Sequence, residues 1–143
     1  MKIGFIFLIV IFIGSYYVGL MFKNDKRLQS TVNSSACDLL KGSCKVVGED
    51  IEYEISFIDP PSPLTPFNIH FSALNGQPSK VEIKFTMEGM DMGNNVYSLE
   101  NKGKYWGAKA LLPVCSLGRN DWLLRVNAIY GENIHSTDFK FSQ

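Results

Sequence analysis

The sequence has little of what enzymes and nucleic-acid-binding proteins usually display. It contains two histidines among 143 residues. It has no His-Glu-x-x-His pair, no Gly-x-Ser-x-Gly elbow and no glycine-rich phosphate loop, so we do not expect catalysis. The 14 basic and 14 acidic residues cancel in net charge, and no run of Lys or Arg exceeds two residues. A nucleic-acid partner is therefore not indicated.

Cysteine is scarce, and its odd count is informative. The three cysteines are Cys37, Cys44 and Cys115. They form no Cys-x-x-Cys pair within a βαβ pattern, which argues against a thiol-redox protein. In an exported domain, three cysteines predict one disulfide plus a free thiol or a metal ligand. The sequence does not choose among the three pairings; a bridge from Cys37 or Cys44 to Cys115 would close a loop of about 70–80 residues and stabilise by roughly 4 kcal/mol.

One long apolar run is present, over residues 3–22, and it carries no charge. As a helix this run would span roughly 30 Å, the thickness of a bilayer core. It is longer than a minimal signal core and no Ala-x-Ala site follows, which favours a retained anchor over residues 1–23 rather than a cleaved signal peptide. The basic residues after the run weakly favour a cytoplasmic domain, whereas the cysteines favour an exported one. We expect an exported domain.

The rest of the chain divides into a polar segment and a strand-rich domain. Residues 24–36 are polar and predict a flexible linker. Over residues 37–143, apolar and polar residues alternate with period two in short segments separated by turn residues, as is typical of an antiparallel two-layer domain. Seven or eight strands in about 105 residues predict an all-β, immunoglobulin-like β-sandwich. Six segments alternate clearly, at 51–57, 67–71, 81–85, 106–110, 122–128 and 139–141. Turn residues at 75–76, 101–103 and 130–133 and a proline-rich loop at 59–63 are predicted between them.

A methionine-rich stretch, MEGMDMG, runs from Met87 to Gly93. Thioether sulfur is a soft, neutral ligand that favours Cu(I). Met87 continues the apolar alternation before it, which favours a core position, although it stays a candidate ligand. Met90 and Met92 would project to the same side of an extended backbone, with Asp91 opposite. They would either bind a metal or fill the end of the sandwich, where methionine packs well.

Other candidate ligands lie elsewhere in the chain. Cys115 follows Leu112-Pro113-Val114 at the predicted exit of a strand. If it stays free, its thiolate would be a strong Cu(I) ligand beside methionine sulfur. His70 and His135 fit surface or packing positions, and neither is close in sequence to the methionines. Folding would have to bring either one to a metal site.

Several of these features together resemble a known group of proteins. The anchor, the predicted sandwich, the GMDMGNN stretch from Gly89 and the LPVC stretch ending at Cys115 resemble the FixH/YtkA-like group of small membrane-anchored proteobacterial envelope proteins. The resemblance covers roughly residues 37–141. It implies an inner-membrane, single-pass protein with a periplasmic domain and a role in copper handling, including the maturation of copper-containing respiratory oxidases. It also implies that Met90 and Met92 contact a metal or a partner, such as a copper-containing membrane complex or a copper chaperone.

Two hypotheses of different classes follow. In the first, the protein binds or delivers Cu(I) through Met90 and Met92, with Met87 and Cys115 as further candidates and Cys37 and Cys44 as a disulfide or as ligands. In the second, it is a metal-free accessory subunit that docks on a larger membrane complex through an adaptable surface of methionines and aromatic residues.

Overall fold

The computed structural model describes residues 29–33, 37–90 and 92–143. All the helices and strands assigned in these ranges are β-strands. Within them, no helix is long and apolar enough to cross a membrane. The predicted anchor, residues 1–23, lies outside the described residues. The strands are β1 (Gln29–Asn33), β2 (Cys44–Val47), β3 (Glu52–Phe57), β4 (Phe67–Asn75), β5 (Lys80–Thr86), β6 (Val96–Ser98), β7 (Glu100–Asn101), β8 (Trp106–Ala110), β9 (Asp121–Tyr130) and β10 (Asn133–Ser142).

The strands form two five-stranded sheets. The first has the order β1-β10-β9-β5-β6 and the second has the order β2-β3-β4-β8-β7. Neighbouring strands run antiparallel, except that β1 runs parallel to β10. This confirms the prediction of an all-β domain with antiparallel sheets.

The period-two pattern of the sequence produces one buried face on each sheet. On β5, for example, Val81, Ile83 and Phe85 are fully buried, whereas the intervening Glu82 and Lys84 are only half-buried. Successive side chains on a strand point to opposite faces, so the apolar set turns inward as a group. The same alternation holds for the predicted segments on β3, β4 and β9.

The two buried faces pack against each other through aromatic rings. Phe67 of β4 meets Phe85 of β5 with ring centroids 5.8 Å apart, and Phe57 of β3 meets Phe141 of β10 at 5.3 Å. Both pairs have edge-to-face geometry, which is favourable because the ring edge is positive and the ring face negative. These contacts join strands of different sheets, so the core lies between the sheets.

The predicted turns lie between strands. The β9–β10 hairpin closes through two residues, and Gly131 at the first of them has a φ of 60°. A type II′ turn needs a positive φ at that position, which glycine adopts without strain. The predicted turns at 75–76 and 101–103, and the proline-rich loop at 59–63, also separate strands.

The structure differs from the sequence prediction within the polar segment 24–36. Gln29–Asn33 form β1, which pairs with β10 from Gln29 opposite Ile134 to Asn33 opposite Asp138. An edge strand can gain backbone hydrogen bonds without burying an apolar face, and therefore needs no apolar alternation in its sequence. The remaining positions of the predicted linker, 24–28 and 34–36, lie outside the described residues.

Candidate metal centre

The methionine-rich stretch begins with a tight turn at the end of β5. The amide of Met90 donates to the carbonyl of Met87 at 3.1 Å, and the two residues form an isolated β-bridge. Gly89, third in this turn, has a φ of 71°. A type II turn requires a positive φ at its third residue, which explains glycine at this position. The turn reverses the chain and brings Met90 back to the end of the sandwich.

The three methionines of the stretch have different environments. Met87 is 2% exposed and belongs to the core, as its place in the apolar alternation predicts. Met90 and Met92 are partly buried and pack against the edge of the same core. Their thioethers are therefore the more accessible ones. Asp91, between them, lies outside the described residues.

A second turn brings Cys115 to the same end. After β8, the amide of Gly118 donates to the carbonyl of Cys115 at 3.0 Å, which closes a four-residue turn. The Cys115 thiol is free and partly buried, and its Sγ lies 3.7 Å from the Sδ of Met90. Folding thus joins two predicted ligands, Met90 and Cys115, that are 25 residues apart in sequence.

Arg119 ties these two turns together. Its guanidinium donates to the carbonyl of Glu88 at 3.0 Å and, through Nε, to the carboxylate of Asp121 at 2.8 Å. The hydrogen bond from Arg119 lowers the pKa of Asp121. The pKa of Arg119 is raised, mainly by the hydrogen bond to Asp121, while desolvation opposes the rise. The guanidinium therefore contacts both the first turn and the strand that follows the second turn.

Sequence reasoning missed Arg119. It lies in a loop just before β9, and its contact with Glu88 spans 31 residues. No local pattern in the sequence marks such a contact. A basic residue four positions after Cys115 was the one available signal, and by itself it is not specific.

The cysteine pairing left open by the sequence is local in the structure. Cys37 and Cys44 form a disulfide with their Cα atoms 5.8 Å apart, which leaves Cys115 free. Neither Cys37 nor Cys44 therefore presents a thiolate. The long-loop bridges to Cys115 are absent, so the stabilisation expected from the disulfide drops from roughly 4 to about 2.5 kcal/mol, because the closed loop is short.

The disulfide lies at the same end of the sandwich as the methionines. A groove of about 430 Å³ there is lined partly by Cys37, Glu88, Asp121 and Lys140. The ammonium of Lys140 lies 3.3 Å from the Glu88 carboxylate. This end therefore carries charged groups of both signs around the sulfur residues.

Neither histidine is brought to the methionines. His70 lies on the outward-facing side of β4, with its ring 4.3 Å from that of Tyr105 and its Nε2 3.3 Å from the Ser72 hydroxyl. The ring of His135 contacts that of Tyr130, near the opposite end of β10 from Phe141. Six residues of strand separate His135 from Phe141, or roughly 20 Å. Both environments agree with the surface and packing interpretation.

The donor set at this end is unusual for a metal site. Over residues 37–90 and 92–143, no group of three or more His, Cys, Asp or Glu side chains is arranged to hold a metal. A centre at the Met90–Cys115 pair would therefore depend on methionine sulfur together with one thiolate. Soft sulfur donors of this kind select Cu(I) rather than Mg²⁺ or Ca²⁺, which prefer oxygen.

Exposed apolar side chains flank the thiol. Val114 is 59% exposed and Leu117 is 72% exposed, and both belong to the same loop as Cys115. Apolar groups that are exposed in this way suit a contact surface better than a core. We refer to Val114 and Leu117 as the apolar rim.

Comparisons with known proteins add little. No family model matches the sequence, and no curated protein matches it. A crystal structure of an engineered protein, determined at 1.98 Å, is similar to 62% of this chain with a TM-score of 0.46 and 11% sequence identity. The match covers 19% of that protein, so this chain spans about a fifth of its length.

Proposed function

We propose that this protein is a membrane-anchored, periplasmic accessory protein that binds or delivers Cu(I). The observation that carries the proposal is the 3.7 Å contact between the Cys115 and Met90 sulfur atoms. A thiolate and a thioether together favour Cu(I) over Zn(II), which prefers several thiolate or imidazole ligands. In this proposal Met92 supplies a third soft ligand, while Met87 serves as core packing.

We also propose that the sandwich is immunoglobulin-like, and its strand order supports this. The order β3-β4-β8-β7 in one sheet corresponds to strands A-B-E-D of an immunoglobulin domain, and β10-β9-β5 in the other corresponds to G-F-C. In this correspondence β6 continues the second set as an additional edge strand. Strands β1 and β2 are further additions, and no cysteine on β4 or β9 supplies the inter-sheet disulfide of antibody domains.

Export and anchoring rest on two observations. The disulfide between Cys37 and Cys44 supports an oxidising compartment, because cytosolic proteins rarely keep structural disulfides. The uncharged run over residues 3–22 has the length of a membrane span. Together they support an inner-membrane anchor with the domain in the periplasm. The resemblance to the FixH/YtkA-like group suggests a copper-containing membrane complex, such as a respiratory oxidase, as the destination.

A Cu(I) titration of the full chain in detergent, against a competing chelator under anaerobic conditions, tests the proposal. The parent protein should bind one equivalent, and a Met90→Leu, Met92→Leu double variant should bind far more weakly. The matched control is Met87→Leu, which changes a thioether of the same stretch inside the core and should keep the parent affinity. Leucine conserves approximate volume and apolarity at all three positions. Equal affinity of the folded double variant would refute the thioether site.

The apolar rim favours a second candidate function, a metal-free subunit that docks on a larger membrane complex. Val114 and Leu117 would form an adaptable contact surface together with the exposed parts of Met90 and Met92. The same titration separates the two functions. A folded parent protein that does not compete with the chelator for Cu(I) would favour docking without metal.

A further inference from the structure

The strand β1 defines where the chain enters the sandwich. Because β1 runs parallel to β10, its first residue, Gln29, lies beside Ile134, next to the β9–β10 hairpin. Its last residue, Asn33, lies beside Asp138, further along β10. The chain therefore enters at the hairpin end and runs toward the other end.

The Met90–Cys115 pair lies at that other end. Thr86, at the end of β5, pairs with Leu123 at the start of β9, and Lys140 near the end of β10 contacts Glu88. Six residues of β10 separate Ile134 from Lys140, which corresponds to roughly 20 Å along the strand. The chain thus enters the first sheet at one end, and the candidate metal centre lies at the opposite end.

The connection from the predicted anchor to β1 is short. Residues 23–28 are the six positions between the apolar run, which ends at 22, and the first residue of β1. Seven Cα–Cα steps join residue 22 to residue 29, and they span at most about 25 Å even when fully extended. This limits how far the start of β1, and with it the hairpin end, lies from the membrane surface.

We propose that the sandwich is oriented on the membrane with its β9–β10 hairpin toward the bilayer and its Met90–Cys115 pair directed away from it. This inference rests on the anchored copper-binding function proposed above. It deepens that function by specifying the partner that supplies the metal: a water-soluble protein brings Cu(I) to this site. The apolar rim, Val114 and Leu117, is its contact surface. A copper site within the bilayer would not reach a pair directed away from the lipid, so delivery to a membrane complex requires a part of that complex that extends into the periplasm.

Energy transfer to labelled lipid tests the orientation. The full chain is reconstituted in vesicles of phosphatidylethanolamine and phosphatidylglycerol that contain a headgroup-attached acceptor dye. A donor dye is placed on a single introduced thiol in the Cys115→Ser background, either at the hairpin, with Glu132→Cys, or beside the candidate site, with Ser116→Cys. Both positions are exposed, and the Cys37–Cys44 disulfide does not react with the dye.

We expect the donor at position 132 to lose roughly half of its emission and the donor at 116 to lose about a fifth or less, given roughly 20 Å or more of additional separation along the strands. Equal transfer from the two positions, or stronger transfer from position 116, would overturn the proposal and identify the apolar rim as a membrane-facing surface. Loss of the protein from the vesicles after high-salt washing would refute the membrane anchor of the proposed function, and the orientation with it. The energy-transfer measurement requires no copper. It can therefore refute the orientation while the titration supports Cu(I) binding, and it can support the orientation while the titration refutes Cu(I) binding.

Discussion

The sulfur atoms of Met90 and Cys115 meet at the end of the sandwich, and they arrive there from different sheets. Met90 follows β5 of the first sheet, whereas Cys115 follows β8 of the second. Their contact therefore depends on the packing of the two sheets, and each partner is positioned by its own tight turn. A metal bound by both residues would link the sheets, so binding and folding stability should be coupled.

Replacing Cys115 by serine should weaken Cu(I) binding and remove most of its pH dependence. A thiol must lose its proton to bind as thiolate, whereas a thioether has no proton to lose. For the parent protein we expect affinity to fall on acidification by at most about tenfold per pH unit, the limit for one proton released per ion. Chelator competition at several pH values between 5 and 8 measures this dependence. The same pH profile in the parent and in Cys115→Ser would remove Cys115 from the ligand set.

Arg119 should act as a positioning residue for the candidate centre. Its guanidinium joins Glu88 in the first turn to Asp121 beyond the second, so Arg119→Gln should leave Met90 and Cys115 less well aligned. Outer residues that orient metal ligands typically contribute about tenfold or more to affinity. We expect a loss of roughly that size in Cu(I) affinity, with Arg119→Lys intermediate because lysine lacks the planar fork.

The readout must distinguish positioning from a general loss of structure. Circular dichroism and the one-equivalent stoichiometry should be the same for Arg119→Gln and the parent, while the affinity differs. The matched control is Arg125→Gln, which breaks the Arg125–Asp138 ion pair on the surface of the same sheet. An equal loss of affinity in both variants would indicate a global effect and would contradict a specific role for Arg119.

The strands were the most predictable part of the molecule. Period-two alternation on β5 or β9 is a property of consecutive residues, and burial of one face follows from it directly. The turn at Gly131 was predictable for the same local reason. The edge strand β1 was not, because its polar sequence carries no alternation and its pairing depends on the free edge of β10.

The candidate site was predictable residue by residue, whereas its contacts were not. Soft-ligand chemistry singles out Met90, Met92 and Cys115 from the sequence alone. The meeting of Met90 with Cys115 depends on a contact that spans 25 residues, for which a single sequence carries no signal. The disulfide illustrates the same difficulty: the sequence left three pairings open, and the fold brings Cys37 to Cys44.

Removing the disulfide should destabilise the domain without changing copper stoichiometry. In the chain-entropy model the short loop between Cys37 and Cys44 contributes about 2.5 kcal/mol. The free energy of unfolding of a Cys37→Ala, Cys44→Ala variant, measured with urea, should therefore be lower by roughly that amount. The variant should still bind one equivalent of Cu(I). A variant that folds but has lost the copper site would assign the disulfide a role in positioning the ligands.

Acidification should destabilise the loops at the end of the sandwich that contains the candidate metal centre. Backbone and side-chain hydrogen bonds, from Leu40 and Lys41, lower the pKa of Asp38, and Arg119 lowers that of Asp121. A carboxyl whose pKa is lower in the folded state stabilises that state, and the effect is fully present above its pKa in the unfolded state, near 4. The protein loses this stabilisation as the pH falls through the pKa of the folded state. We expect Asp38→Asn to lower the melting temperature at pH 7, and we expect this difference from the parent to shrink steadily as the pH falls below about 4. A difference that stays the same down to pH 2 would contradict this linkage.

The hydroxyl of Tyr53 should contribute nothing to stability or should reduce it. Tyr53 is fully buried with its ring stacked on Phe71 at 4.7 Å, and its hydroxyl has no hydrogen-bond partner among residues 37–90 and 92–143. Burial raises its pKa, and the nearby side chain of Thr137 opposes the rise. The Thr137 hydroxyl is also buried, and within those ranges the two hydroxyls do not meet the geometry of a hydrogen bond. A buried polar group without a partner costs about 1–3 kcal/mol.

Tyr53→Phe keeps the ring and removes this hydroxyl, so the free energy of unfolding should stay the same or rise by about 1 kcal/mol. The control is Tyr53→Ala, which also removes the ring and should cost about 3–5 kcal/mol. Urea unfolding of the two variants and the parent measures both effects. A loss of more than about 1 kcal/mol in Tyr53→Phe would mean that the hydroxyl is paired, most simply with an internal water shared with Thr137. In that case Thr137→Val should show a similar loss, and the double variant should lose no more than either single change, because both would remove the same hydrogen-bonded water.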